Sequence, residues 1–388
     1  MALREMAMFP RLVNSTYSAK AGQHGSTIDV PLPGAVTGID IATGSSNLAP
    51  DPTAVAPTTV PIVMNKWWDF PFTLDDREML EAMEGTIPMQ ASEAVRGLAN
   101  KVDASCIDLY VKVTQFQGTF GAVGFDYSAS SATATPTVNA TGIRKQLSKA
   151  LAPNENRHVV LTPDTEAQAL QMRAFQDASW SGSVDAILAG NLNQKLGFRW
   201  WIDQNLNSSF TTGTLSSGAT IEVQTTTAAG ATSVPLAAGA GEVIAFNKGD
   251  LIVFSNHSTV YCVQADLDVT GAANGNVSIF PALTTGVTAT THTVTFASGY
   301  KTGAIDAVES GSLNLGFHRD AFAFANRPLG GTEPGLGSIS QTAIDPVSGL
   351  ALRLEVTREY KRTRFSYDML WGVDLVRPNF VVRFHAKN

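Results

Sequence analysis

Residues 91–113 read ASEAVRGLANKVDASCIDLYVKV. Within them Ala91, Val95, Leu98, Val102, Cys106, Leu109 and Val113 recur at spacings of three and four. At 3.6 residues per turn these positions share one stripe of a helix. Glu93, Arg96, Asn100, Lys101, Asp103, Asp108 and Lys112 take up much of the remaining surface. The spacing predicts a single helix over residues 85–115, about eight turns long, with Val95, Leu98, Val102 and Leu109 on its buried side. Such a helix needs a broad surface to lie on, because packing of its apolar face supplies most of its stability.

Upstream, residues 73–79 (TLDDREM) open helical sequence, with Thr73 as the expected N-cap and Asp76 completing a capping-box-like start. Residues 20–66 are poor in charge and rich in Pro, Gly, Ser and Thr. They are framed by the strand-like runs STIDV at 26–30 and PIVM at 61–64. A hairpin with a long irregular tip fits this, and a disordered linker is the alternative. Trp67, Trp68, Phe70 and Phe72 continue the second run as a strand that packs.

Downstream, residues 141–205 alternate helical and strand-like pieces: a helix through Leu147 and Leu151, a strand at Val159–Leu161, and a helix starting near Pro163 and Asp164. Composition then changes sharply. Residues 208–299 hold six charged residues and no arginine, with short apolar runs at 221–224, 251–254, 259–263, 277–280 and 292–296. Turn signals such as Lys248-Gly249-Asp250 separate them, so this segment is expected to be a small inserted β-barrel or sandwich. Residues 313–329, 350–356, 365–371 and 379–384 complete the chain as closing strands. Arg358, Lys361, Arg362 and Arg364 cluster between two of them as a solvated turn, as partners for a neighbour's acids, or as a DNA contact.

The chain of 388 residues is long enough for two or three domains and a substantial core. Only 16% of it is charged, against about 25% in an average protein. Much of its surface is therefore neutral and small, which suits burial against neighbours. A net charge of −7 argues against a dedicated nucleic-acid reader. Cys106 and Cys262 read as core hydrophobes rather than a disulfide. No apolar run is long enough to cross a membrane and no secretion signal opens the sequence, so a soluble cytoplasmic chain is expected and its five Asn-x-Ser/Thr sequons carry no weight.

Motifs that carry chemistry are few. His318-Arg319-Asp320 matches three residues of the kinase catalytic loop, but Asn326 is one position too far and the glycine-rich loop is missing. The six histidines form no ligand pair, so no metal and no cofactor is expected. Asp75, Asp76, Glu78, Glu81 and Glu84 form an acidic run best read as helix-start charges open to a neighbour's basic residues. Trp67-Trp68 and Trp200-Trp201 are core or interface anchors before they are a ligand groove.

The order of these parts resembles the coat proteins of short-tailed phages related to the Salmonella phage whose coat carries an inserted β-barrel. The matching pieces are FPFTLDDREM at 70–79, LANKVD at 98–103, VVLTP at 159–163, NLGFHRDAF at 314–322 and LWGVDLVRP at 370–378. The resemblance covers almost the whole chain. It implies an α+β, Hong Kong-type phage and herpesvirus capsid fold. Under it, residues 1–19 are an N-terminal arm, 20–66 an extended loop, 67–140 a peripheral domain with its spine helix at 85–115, and 141–207 the first part of an axial domain. Residues 208–299 are the inserted β-barrel, and 300–388 the closing strands of the axial and peripheral domains.

The resemblance further implies a non-enzymatic major capsid protein that builds hexamers and pentamers of an icosahedral shell, located in the virion and assembled in the host cytoplasm. Its implied partners are further copies of itself, a scaffolding protein, a portal, a decoration protein and double-stranded DNA held by loose, unspecific contact, with no membrane. Val36, Ile39, Ile41, Leu48, Val55, Asp75, Asp76, Glu78, Arg358 and Arg362 are the candidate inter-subunit residues. Some relatives crosslink a loop lysine to an asparagine of another subunit. Lys66 stands at the base of the loop here and no partner asparagine is singled out, so no crosslink is expected. The alternative function is a β-rich carbohydrate-binding or hydrolytic surface protein whose ligand site is the 208–299 segment.

Overall fold

The apolar stripe does form a helix, Thr86–Ile107, but one shorter than its spacing predicts. From Asp108 the chain tightens into a 3-10 turn through Lys112 and leaves it extended at Val113. The reason is tertiary. Val111 is drawn into the core of the β-rich segment, and the Tyr110 hydroxyl donates to the Lys248 carbonyl at 3.2 Å. Ile107 is the last residue for which helical geometry and burial agree.

This computed structural model describes residues 8–16, 27–34, 36, 57–81, 86–125, 137–176, 188, 190, 192–216, 221–239, 241–270, 274–327, 329–330, 338–344 and 350–387. The chain divides into two units. One comprises Met1–Asn14, Ala99–Phe322 and Arg377–Asn388, the other Ser15–Leu98 and Ala323–Val376. The closing segment 300–388 is thus shared between the two.

In the second unit, Thr27–Leu32 pairs antiparallel with Thr58–Val63, placing Ile28 opposite Ile62, Val30 opposite Val60 and Leu32 opposite Thr58. Alternation puts Ile28, Val30 and Ile62 on one face, where they pack with Met64, Ala323, Ala325 and Val376. A second sheet runs in the order Phe322–Arg327, Arg362–Leu375, Ala351–Glu359, Ser338–Ile344, with Lys66–Asp75 also paired to Arg362–Leu375. One apolar row crosses four of its strands: Phe72 faces Phe365, Phe365 faces Val356, and Val356 faces Ile339. The two phenyl rings stack at 5.0 Å.

That pairing corrects the expected helix start. Thr73 lies inside the strand opposite Arg364 and caps nothing. The helix is Asp76–Glu81, and the reciprocal bond of a capping box comes from Glu78, whose carboxylate accepts from the Asp75 N–H at 3.0 Å. The motif sits two residues later because strand pairing holds Thr73 extended.

In the first unit, a seven-stranded sheet carries Ser310–His318 between Val381–Ala386 and Arg157–Leu161, with Phe198–Ile202 parallel to the latter. The side chains of Ser312 and Asn314 bond to Thr165, and Gly316 lies under Ile143, so the helices Val138–Lys149 and Pro163–Leu170 cover one face. Pro163 opens the second helix, as expected, and Thr162 caps it. The first helix ends at Lys149. Leu151, expected within it, adopts a left-handed φ of 61° and is 86% exposed.

The opposite face carries Leu313, Leu315 and Phe317. Phe9 of the short helix Phe9–Leu12 stacks on Phe317 at 5.5 Å, and Leu313 joins the core of the β-rich segment. That segment forms a six-stranded and a three-stranded sheet. Three of its strands, Ser233–Ala237, Val243–Phe246 and Leu267–Thr270, were not expected; Pro235 within the first argues locally against a strand, and the second and third pair with each other. Its core is not closed on itself, since Val111, Phe120, Tyr300 and Leu313 belong to the same apolar cluster.

Candidate functional site

The residues expected to meet a neighbour fall into two groups. Val36 is 83% exposed, while Ile39, Ile41, Leu48 and Val55 lie outside the described residues. Asp75, Asp76 and Glu78 are exposed at the turn into Asp76–Glu81. The Arg358 guanidinium forks onto the Asp76 carboxylate with both contacts at 2.6 Å, so two residues expected to face another subunit face each other. This contact holds the Asp76 carboxyl below the usual carboxylate range. Arg362 pairs with Glu359, and Arg364 with Asp69. The three arginines of the basic cluster are therefore already matched by acids of their own unit.

On the long helix Leu98 and Val102 are fully buried and Val95 is half-buried, whereas Leu109, expected on the same helix, is half-buried in the 3-10 turn that follows it. Asp103, expected on the solvent side, is fully buried. Its carboxylate accepts from the Phe9 N–H at 2.9 Å and from the Asn205 amide at 3.0 Å, within hydrogen-bond reach of Asp203. Burial, then Asp203, push the Asp103 carboxyl up to about 8. The alignment of Ala99, Asp103 and Ile107 at i, i+4 and i+8, all buried, was the signal available in the sequence.

A second buried polar group lies at the foot of the β-rich segment. Asp250 accepts from the Gly213 and Asn247 N–H groups and from the Tyr300 hydroxyl, at 2.8–2.9 Å. Burial pushes its carboxyl up to about 6. Arg383, also fully buried, donates to the Gly249 carbonyl and lies over the Tyr110 ring. His385 sits between the rings of Phe116 and Phe120, and burial lowers its imidazole well below the usual range.

These groups bind the parts of a fold together. Among the described residues no three His, Cys, Asp or Glu side chains gather as metal ligands. A cavity of about 580 Å³ is lined by Met8, Leu192, Asn193, Arg199, Trp201 and Ile202 among others, a set that joins no nucleophile to a base. His318 accepts from the Asp320 N–H and ends a strand, so the kinase-like triplet is a turn. Trp200 is buried, Trp201 donates to His158, and neither cysteine is in a disulfide. No helix among the described residues is long and apolar enough to cross a membrane.

No protein-family model matches the chain, and no curated protein does. Solved structures do. A structure from Mycobacterium phage Che8 aligns over 98% of this chain and 91% of its own, with a TM-score of 0.52 and 15% identity. The capsid structure of cyanophage P-SCSP1u aligns over 98% and 88%, with a TM-score of 0.50 and 13% identity. At such identities the likeness is one of fold, and it runs from end to end of the chain. The chain has the α+β, Hong Kong-type capsid fold.

Proposed function

We propose that this chain is the major capsid protein of a tailed bacteriophage. Copies of it assemble into the hexamers and pentamers of an icosahedral shell around double-stranded DNA, and it catalyses nothing. The observation that carries this reading is the likeness over 98% of the chain to the capsid structure of cyanophage P-SCSP1u. Partial likeness would leave room for a borrowed domain; end-to-end likeness favours the shell subunit over a carbohydrate-binding or hydrolytic surface protein.

On this reading residues 20–66 are the extended loop, rooted in the Thr27–Leu32 and Thr58–Val63 pair, and Thr86–Ile107 is the spine. Residues 208–299 are the inserted domain. Loose DNA contact falls to the helix Val138–Lys149, which itself carries exposed Arg144, Lys145 and Lys149 and no acid. The opposite face of the sheet bears a segment whose six charges include a single lysine. Sparse cations of this kind neutralise few phosphates and leave the genome mobile. Scaffolding protein, portal and a decoration protein complete the set of partners, with assembly in the host cytoplasm.

Negative-stain electron microscopy of the purified chain tests the reading. Polyhedral shells or tubes are expected; discrete monomers or dimers under every salt condition would overturn it.

A further inference from the structure

Phe9, Asp103 and Asp203 come from three separated parts of the chain and meet in the first unit. Asp103 projects from the long helix, Asp203 follows the strand Phe198–Ile202, and Phe9 begins the short helix Phe9–Leu12. All three are essentially excluded from water. The Asp103 carboxylate already accepts two N–H bonds, from Phe9 and from the Asn205 side chain. Asp203 accepts from the Asn205 backbone N–H at 2.8 Å through one oxygen, while its other oxygen is buried with no N–H or O–H donor. Two carboxylates in reach of each other in a dry site repel unless a proton lies between them.

We propose that Asp103 and Asp203 share one proton, and that this proton clamps the Phe9–Leu12 helix to the long helix, so that its loss releases the amino-terminal helix. The proton lies between the otherwise bare oxygen of Asp203 and the Asp103 carboxylate and joins the two. Ionisation passes it to solvent and takes the pair from one negative charge to two. The Phe9 N–H is then bonded to a carboxylate driven away from its neighbour, and water entering to solvate the charge must displace Phe9. The groups acting on Asp103 are Asp203 and the Asn205 side chain from the loop and the Phe9 N–H from the short helix. Asp203 is the titratable one, and no cation among them offsets the second charge. The raised Asp103 value of about 8 sets the range in which the clamp opens.

Trypsin cleavage at Arg11–Leu12 reports the release, since Arg11 is the exposed residue of the clamped helix. On the soluble full-length chain, with rates normalised to a free peptide of the same sequence, cleavage is expected to accelerate about tenfold from pH 7 to pH 9 as the ionised fraction rises. Asp203→Asn supplies a permanent N–H donor to Asp103 and should keep cleavage slow throughout. Asp103→Ala, which removes the acceptor of the Phe9 N–H, should make it fast throughout. A normalised parent rate that is flat between pH 7 and 9 overturns the clamp without recourse to any variant. An Asp203→Asn profile that follows the parent's does the same.

Discussion

Arg383, on the last strand, donates from Nη1 to the Gly249 carbonyl at 2.7 Å, spanning 134 residues of sequence. Gly249 has a φ of +99°, and a Cβ there would stand 2.5 Å from the Tyr110 ring. The turn, the ring and the guanidinium therefore form one joint between the β-rich segment and the sheet of the first unit. Arg383→Ala removes a buried bond and opens a cavity, and should cost about 3 kcal/mol. The excised 208–299 segment, lacking Arg383, Val111, Phe120 and Leu313, should show strand-type circular dichroism but melt below the intact chain. An equal melting temperature would mean that the segment is self-sufficient and the joint incidental.

Leu98 is fully buried in the fold. Leu98→Asp places an unpaired charge in that site and should cost several kcal/mol, enough to abolish soluble yield of a marginal subunit. Val95→Asp, at a half-buried position of the same helix, should cost distinctly less. Equal effects of the two on urea midpoints would show that the facing of the helix has been misjudged.

Asp250 makes stability depend on pH in a definite direction. Its carboxyl titrates at about 6 in the fold, raised from an ordinary 3.8 by burial, so the folded state holds the proton more tightly than the unfolded one. Its contribution is complete below about pH 3.8 and is lost as pH rises through 6. His158 acts oppositely: burial lowers it to about 4, and its contribution is lost as pH falls from 6.5 through that value. In Asp250→Asn, the amide oxygen can accept both N–H bonds and the amide nitrogen can donate to Tyr300. The difference between parent and variant in urea stability should therefore change between pH 4 and 6 and level off above 6. A difference constant across that range would remove Asp250 from the account.

Leu32 and Thr58 lie opposite each other at the outer end of the described hairpin. Joining them by a short Gly/Ser turn in place of residues 33–57 costs little closure entropy and leaves the strand register intact. The product should fold, with a melt near the parent's, yet sediment as unassembled subunits or fragile shells. Shells of normal size and stability would show that residues 33–57 are merely a linker.

The long helix, the paired strands at 27–32 and 58–63, the Pro163 helix start and the β-rich character of residues 208–299 were legible because each rests on local periodicity, capping or composition. Local rules failed where a distant partner outweighed them. Thr73 stays in a strand because Arg364 pairs with it, the long helix stops at Ile107 because the following residues are claimed by another core, and Pro235 sits in a strand that alternation alone did not reveal. No periodicity could bring Asp103 to Asp203, Asp76 to Arg358 or Arg383 to Gly249, since each pair joins segments about 100 residues apart or more. What the sequence determined by itself was where the long helix, the hairpin strands and a charge-poor β-rich segment lie. Which charges are buried, and against what, was decided only by the tertiary fold, because desolvation depends on everything packed around a group and not on its neighbours along the chain.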